Sequence, residues 1–212
     1  MIRLVMAGER VNFEGEFYGV RNFRMTGPRP SKPVSIYLAA LGPEALELAG
    51  EIADGVVLNW IPPEGVPASI AHLEAGARRA GRSLAGFEIA AFVRTCVTDE
   101  AARAREQLAR DITGHVTVDA YASFFRTAGF ADEVEAISAA WTAGDRAGAV
   151  KRVSPRFLDG LGVVGPADFC RERFAEFARA GLTLPVVFPF SPDTATGRDP
   201  RPALLRTART VP

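Results

Sequence analysis

The amino-acid sequence predicts an α/β fold with a parallel sheet, in the form of part of a (β/α) barrel. Two features of the 212-residue chain carry this prediction. The strand-like segments are mostly continuous apolar runs, which is typical of parallel strands buried on both faces. These segments also alternate with helical segments, as in right-handed βαβ units. A closed barrel needs eight strands and about 250 residues, whereas an open doubly wound sheet could use four or five strands.

Four predicted strands and their helices make up most of the chain. The strands are predicted over residues 34–41, 55–60, 87–97 and 184–190. Helices are predicted over 44–53, 66–80, 99–112, 167–180 and 203–209, with several shorter helices over 118–161. Thr98 or Asp99 is the expected N-cap of the third of these helices, because both residue types accept a backbone hydrogen bond there.

The start of the chain favours the barrel over the open sheet. Ile2, Leu4, Val5 and Met6 look like the last turns of an amphipathic helix that ends at Gly8, and nothing before them caps it. We therefore expect the front half of a barrel to be absent. The residues from 11 to 23, which are interrupted by glycines, predict a short hairpin, and the proline-rich stretch that follows predicts a loop.

Composition excludes several classes of function. The 25 basic and 25 acidic residues balance, so the charge does not favour a nucleic-acid partner. The two cysteines, Cys96 and Cys170, lie in apolar surroundings and are interpreted as reduced core residues of a cytoplasmic protein. His72 and His115 lack neighbours at metal-ligand spacing, so no metal site is expected. No apolar run reaches membrane-spanning length, so no membrane partner is expected.

Four segments resemble the luciferase-like monooxygenase superfamily, and in particular its branch that uses the deazaflavin coenzyme F420. They are GERVNFEGEFYGVRNFRM, PVSIYLAALGPEALELAGEIADGVVLNW, FEIAAFVRTCVTDE and LGVVGPADFCRERFAEFARAGLTLPVVFP. Their order matches that of the family, and together they cover most of residues 8–189. The choice between coenzyme F420 and FMN as the cofactor rests on less specific features.

The resemblance implies a single luciferase-like domain over residues 1–212, a partial TIM (β/α)8 barrel that holds strands five to eight with a helical insert. It also implies hydride transfer between the reduced cofactor and a small organic substrate. In the family, the first four strands carry much of the ring pocket and most acid/base residues, so no catalytic residue is assigned here. A non-catalytic half-barrel, either a truncated product or an interaction module, is the alternative. The open edges of a half-barrel predict a homo-oligomer.

The turn made by Ala40, Leu41, Gly42 and Pro43 is the main candidate for cofactor binding. It joins a strand to a helix, and a helix N-terminus offers unpaired N–H groups and a partial positive charge. Gly42 leaves room for a phosphate to approach the backbone. Pro43 lacks a backbone N–H, but at the first helical position the helix does not need that donor. The resemblance supports a phosphate site, and the alternative is an ordinary proline-initiated helix. Glu44 follows directly, and its charge opposes an anion.

Three further features have two interpretations each, and a fourth has one. Asn59, at the end of the second strand, binds the cofactor or caps the following loop. Arg94 lies within an apolar strand, where a lone charge is costly; it either meets an anion or pairs with Asp99 or Glu100, and we slightly favour the pairing. Gly165-Pro166 is interpreted as a helix signal only. The aromatic residues Phe124, Phe125, Phe130 and Trp141 form the packing core of the insert or a lid.

Overall fold

The computed structural model describes residues 1–28, 30–193 and 199–210. The chain separates into two compact units, Met1–Ile36 and Tyr37–Pro212. The first unit holds a short helix, α1 (Ile2–Met6), and an antiparallel hairpin of β1 (Val11–Glu14) and β2 (Gly19–Phe23). The hairpin prediction is therefore confirmed.

A parallel sheet organises the second unit. Its strands are β3 (Tyr37–Ala39), β4 (Gly55–Asn59), β5 (Glu88–Val97), β6 (Gly162–Gly165) and β7 (Leu184–Pro189). β4 pairs with β3 and β5, and β5 also pairs with β6 and β7, always in parallel. The predicted α/β fold with a parallel sheet is confirmed.

β5 is the centre of the sheet. Its residues Ala90, Ala91 and Phe92 pair with β4 on one edge and with β7 on the other. Arg94 and Thr95 pair with both β6 and β7. Because each strand has only two edges, β6 continues along the edge that β4 occupies further back.

The prediction of four strands is wrong for this sheet, since β6 was missed. β6 has four residues and follows directly on the helix Pro155–Leu161, so its short apolar run could not be told from the end of that helix. The interpretation of Gly165-Pro166 as a helix signal only is wrong for the same reason. That pair lies at the carboxyl end of a parallel strand and also precedes a helix.

Among the described residues, nine further α-helices follow α1. They are α2 (Pro43–Ile52), α3 (Val66–Arg79), α4 (Ala101–Val116), α5 (Asp119–Phe125), α6 (Ala131–Thr142), α7 (Arg146–Lys151), α8 (Pro155–Leu161), α9 (Ala167–Arg179) and α10 (Arg201–Thr210). The predicted N-cap of α4 is wrong, because Glu100 holds that position and makes no side-chain capping bond. Thr98 instead accepts a hydrogen bond from the Glu100 N–H.

Two apolar clusters stabilise this unit. The first lies between the sheet and helices α2, α3 and α9, and the second joins α4–α8 to the carboxyl ends of β4, β5 and β6. Phe125 and Phe130 are buried in the second cluster, and Phe124 and Trp141 pack against it. The packing interpretation of the insert aromatics is thus confirmed. At the other end of the chain, the buried Thr207 of α10 accepts a hydrogen bond from the Val97 N–H at 3.0 Å.

Two glycines allow α2 and α3 to pack backbone against backbone. A Cβ atom on Gly50 would lie 2.0 Å from the Leu73 carbonyl oxygen, and one on Gly76 would lie 1.9 Å from the Glu47 carbonyl oxygen. Since both obstacles are main-chain atoms, no side-chain rotation relieves them. The carboxyl ends of β3 and β4, which precede these helices, are therefore held at a fixed spacing.

We predict that Gly76→Ala lowers the free energy of unfolding by about 1–3 kcal/mol, because the methyl group forces α2 and α3 apart. Gly114→Ala is the matched control: Gly114 also lies within a helix, and its Cβ position is open. The control should raise stability by roughly 0.5–1 kcal/mol through helix propensity. Denaturant unfolding of both variants checks this, and equal effects would show that the close approach carries no energetic weight.

Candidate functional site

The turn between β3 and α2 lies at the carboxyl end of the sheet. The Ala40 N–H extends the pairing by donating to the Val57 carbonyl at 3.2 Å. Gly42 is the N-cap of α2 and makes no side-chain capping bond, and Pro43 is the first helical residue. Apart from Gly42 itself and its two chain neighbours, no described residue has an atom within 4 Å of the position that a Cβ on Gly42 would take. The start of α2 is therefore uncapped and sterically open.

A cleft of about 500 Å³ opens beside this turn. Leu41, Gly42 and Pro43 line one side, and His72 of α3 and Phe124 of α5 line others. The Nδ1 atom of His72 lies 3.4 Å from a Glu47 carboxylate oxygen, so this histidine is already engaged within the helix pair. The predicted residues Leu41, Gly42 and Pro43 thus share one concave surface, while the side chain of Ala40 is buried in the core.

Asn59 ends β4 and links two elements. Its amide oxygen accepts a hydrogen bond from the Arg94 guanidinium of β5, and its amide nitrogen donates to the Tyr121 hydroxyl of α5 at 3.0 Å. Both ends of the amide are therefore engaged within the protein. Cofactor binding by Asn59 stays a prediction, but the geometry gives this residue a role in placing Arg94 and Tyr121.

Trp60, directly after Asn59, has a strained backbone and an unsatisfied polar group. It adopts a φ of 54°, a left-handed conformation that bulky residues rarely take. The residue is only 1% exposed, and its indole N–H has no hydrogen-bond partner among the residues that the structure describes. The His115 ring lies 4.7 Å away and packs against Trp60 at a tilt. Strain and an unpaired buried donor together mark a position shaped by something other than stability.

Arg94 is held by aromatic rings rather than by a carboxylate. Its guanidinium lies 3.9 Å from the Trp60 ring centroid and 4.7 Å from that of Phe188. The favoured pairing with Asp99 or Glu100 is wrong, because Asp99 pairs with Arg206 and Glu100 with Arg103. Burial lowers the pKa of Arg94, whereas Tyr121 and Asp111 act on it in the opposite direction.

One carboxylate nearby is destabilised by its surroundings. Burial raises the pKa of Asp111 on α4, although Gln107 donates a hydrogen bond to it at 3.0 Å. The charges of His115 and Arg94 act on Asp111 in the opposite direction, but burial is the larger effect. The main-chain carbonyl oxygen of Asp111 also lies 2.8 Å from His115 Nδ1. Because a carbonyl oxygen only accepts, this ring nitrogen must be the donor.

Sequence reasoning singled out Asn59 and Arg94 but missed Tyr121, Asp111 and Phe188 as their neighbours. The charge of Arg94 within an apolar strand was the signal that an unusual site lay there. Tyr121 and Asp111 carry no comparable signal, because they belong to ordinary amphipathic helices. Among the residues that the structure describes, no group of three or more His, Cys, Asp or Glu side chains is placed to hold a metal ion.

Comparison with known proteins identifies the family. Residues 1–184 match the model of the luciferase-like monooxygenase family, and the chain belongs to this family. It is 29% identical over 199 residues to a 5,10-methylenetetrahydromethanopterin reductase of Archaeoglobus fulgidus, covering 91% of this chain and 59% of that protein. It is 40% identical over 86 residues to an F420-dependent glucose-6-phosphate dehydrogenase of Nakamurella multipartita, covering 40% of this chain and 25% of the relative.

Solved structures show the same fold. The coenzyme F420-dependent tetrahydromethanopterin reductase of Methanopyrus kandleri superposes with a TM-score of 0.74 at 24% identity, covering 96% of this chain and 60% of that one. An F420-dependent secondary alcohol dehydrogenase superposes with a TM-score of 0.65 at 18% identity, over 92% of this chain and 55% of that one. The matches to the two reductases and to the alcohol dehydrogenase cover most of this chain. The chain spans somewhat more than half the length of each of those proteins. Within its described residues, no helix is both long and apolar enough to cross a membrane.

We predict that Asp111→Asn makes the protein more stable at neutral pH but not at acidic pH. The pKa of Asp111 is raised in the folded state, so the folded protein binds its proton more tightly than the unfolded chain does, and stability falls as the pH rises through this range. The asparagine side chain of the variant does not ionise, so the variant does not lose this stability as the pH rises. The difference in free energy of unfolding between variant and parent should be near zero at about pH 3 and grow towards about pH 7. A difference independent of pH in denaturant titrations would contradict this.

Proposed function

We propose that this chain forms strands five to eight of a (β/α)8 barrel and takes part in hydride transfer between coenzyme F420 and a small organic substrate. Family membership and the F420-dependent relatives support the redox class and the cofactor. The parallel pairing of β3 with β4, of β4 with β5 and of β5 with β7 supports the barrel, in which each strand pairs with its neighbours in parallel; the short β6 is an additional strand in this interpretation. FMN is the alternative cofactor, and a single domain over residues 1–212 is part of this proposal.

The single observation that carries the cofactor proposal is the open, uncapped start of α2. The cofactor has a phosphate, and a phosphate fits a helix N-terminus because backbone N–H groups and the helix dipole both favour an anion. Gly42 and the N–H groups of Glu44 and Ala45 would hold it, with the open space at Gly42 admitting its oxygens. Glu44 weakens the site by its negative charge.

The cofactor, when bound, supplies the hydride chemistry, and the chain's own residues bind and orient. The turn at Gly42 fixes the anionic end of the cofactor at the carboxyl end of β3. The apolar cleft beside it shelters the adjoining part of the molecule from water. Both features lie on the face where barrel enzymes carry their activity.

We predict that Gly42→Val lowers the affinity for coenzyme F420 by about tenfold or more, because the branched side chain fills the space that the phosphate needs. Gly42 has a φ of −106° and a ψ of 168°, which valine adopts readily, so the fold should survive. Gly27→Val is the control, since Gly27 also has open space at its Cβ position but lies in the other unit. Fluorescence titration with coenzyme F420, repeated with FMN, measures both affinities.

We predict that Glu44→Lys strengthens the same binding by roughly 0.3–1 kcal/mol and slightly lowers the free energy of unfolding. The lysine attracts the phosphate but opposes the helix dipole, so affinity and stability should move in opposite directions. If the start of α2 binds no phosphate, Glu44→Lys should lower the free energy of unfolding without changing the affinity. If Gly42→Val and Glu44→Lys both bind as the parent does, the phosphate lies elsewhere.

We also predict that the chain forms a homo-oligomer. Within the described part of the chain, β3 and β7 each pair with one strand only, so each presents an open edge. A second copy would cover these edges. Light scattering should give a mass well above 22.7 kDa, and a monodisperse monomer that persists for days would contradict the proposal.

A further inference from the structure

The guanidinium of Arg94 retains most of its hydrogen-bonding capacity. Arginine has five N–H donors, and among the described residues only Asn59 accepts from Arg94. No carboxylate of a described residue forms an ion pair with it, and the nearby Asp111 acts on it only through its field. A partly buried arginine in this state is costly for stability, and such a group is normally paired.

The aromatic neighbours decide from which side a ligand can approach. The guanidinium carbon of Arg94 lies over the Trp60 and Phe188 rings, and the N–H groups at the guanidinium edge that do not bond to Asn59 are the donors left for a ligand. A carboxylate meets such an edge with two parallel hydrogen bonds, which is the geometry that arginine provides and lysine does not. The hydrogen bond to Asn59 fixes the orientation of that edge.

Tyr121 supplies a second donor beside Arg94. Its hydroxyl oxygen accepts from the Asn59 amide, and its proton has no acceptor among the described residues. Phe92 packs edge-on against Phe188 at 6.0 Å, and both rings are partly exposed. The site therefore combines two free donors for an oxyanion with an apolar surface for the rest of the molecule.

We propose that Arg94 binds the carboxylate of the substrate, and that the substrate is an organic acid with an apolar or aromatic body lying on Phe92 and Phe188. The assignment of this ligand as a substrate rests on the proposed redox function, whereas the anion site itself rests on the geometry alone. β3 and β5 are separated by one strand, so the backbones of these two strands lie roughly 10 Å apart across the sheet. One site can then hold the cofactor phosphate while the other holds the substrate.

Asn59 is a positioning residue in this proposal, and the variant Asn59→Asp separates binding from folding. The new carboxylate would pair with Arg94 inside the protein, so the melting temperature should rise while the anion site is lost. Arg94→Met keeps most of the side-chain stem but removes the charge and the donors. Arg126→Met is the control, because Arg126 is an exposed arginine paired with Glu135 on the helical insert.

The test measures binding of benzoate to the full chain by calorimetry at fixed ionic strength, with benzamide as the neutral isostere. We expect benzoate to bind, benzamide to bind at least tenfold more weakly, and Arg94→Met and Asn59→Asp to lose the preference while Arg126→Met keeps it. Equal binding of the two compounds, or an unchanged preference in Arg94→Met, would overturn the proposal.

Titration with coenzyme F420 distinguishes this proposal from the proposed function. If Arg94→Met weakens the binding of coenzyme F420 as much as the binding of benzoate, the anion at Arg94 belongs to the cofactor, and the substrate assignment is overturned. If benzoate binds as expected but coenzyme F420 does not bind at all, the anion site is supported and the proposed cofactor fails instead.

Discussion

The parallel pairing of β5 with its neighbours is the constraint on which the rest of the structure depends. Its first half pairs with β4, its second half pairs with β6, and β7 follows the other edge. This register places Asn59 beside Phe92 and Arg94 beside Phe188. A shift by one residue would turn Arg94 towards the helices and bury its charge in the first apolar cluster.

The site departs from what stability alone would favour. Within the described part of the chain, Arg94 lies among aromatic rings and forms no ion pair with a carboxylate, and the indole N–H of Trp60 has no hydrogen-bond partner. Trp60 is also strained at φ 54°. Each departure costs free energy, and all three meet at the carboxyl ends of β4 and β5. The close packing of α2 on α3 holds the neighbouring strand ends in place and so supports this strained arrangement. Proteins tolerate such local conflicts mainly at functional sites.

The sequence was sufficient to predict the fold class and the longer elements, because apolar runs and Gly-Pro helix starts are local signals. It did not reveal β6, whose four residues merge with the end of α8. At the site, Arg94 stood out as a charge in an apolar strand, but its aromatic partners could not be predicted. Phe188 lies 94 residues further along the chain, and the pairing of β5 with β7 is a long-range property. The choice of Asp99 and Glu100 as partners failed because nearness in sequence was taken as nearness in space.

We propose that the start of α2 holds the phosphate of the cofactor, and a crystal structure of the chain with coenzyme F420 is the decisive experiment. The account predicts phosphate oxygens about 3 Å from the backbone nitrogens of Gly42, Glu44 or Ala45. A phosphate bound instead at the start of α9, or at the guanidinium of Arg94, would contradict it.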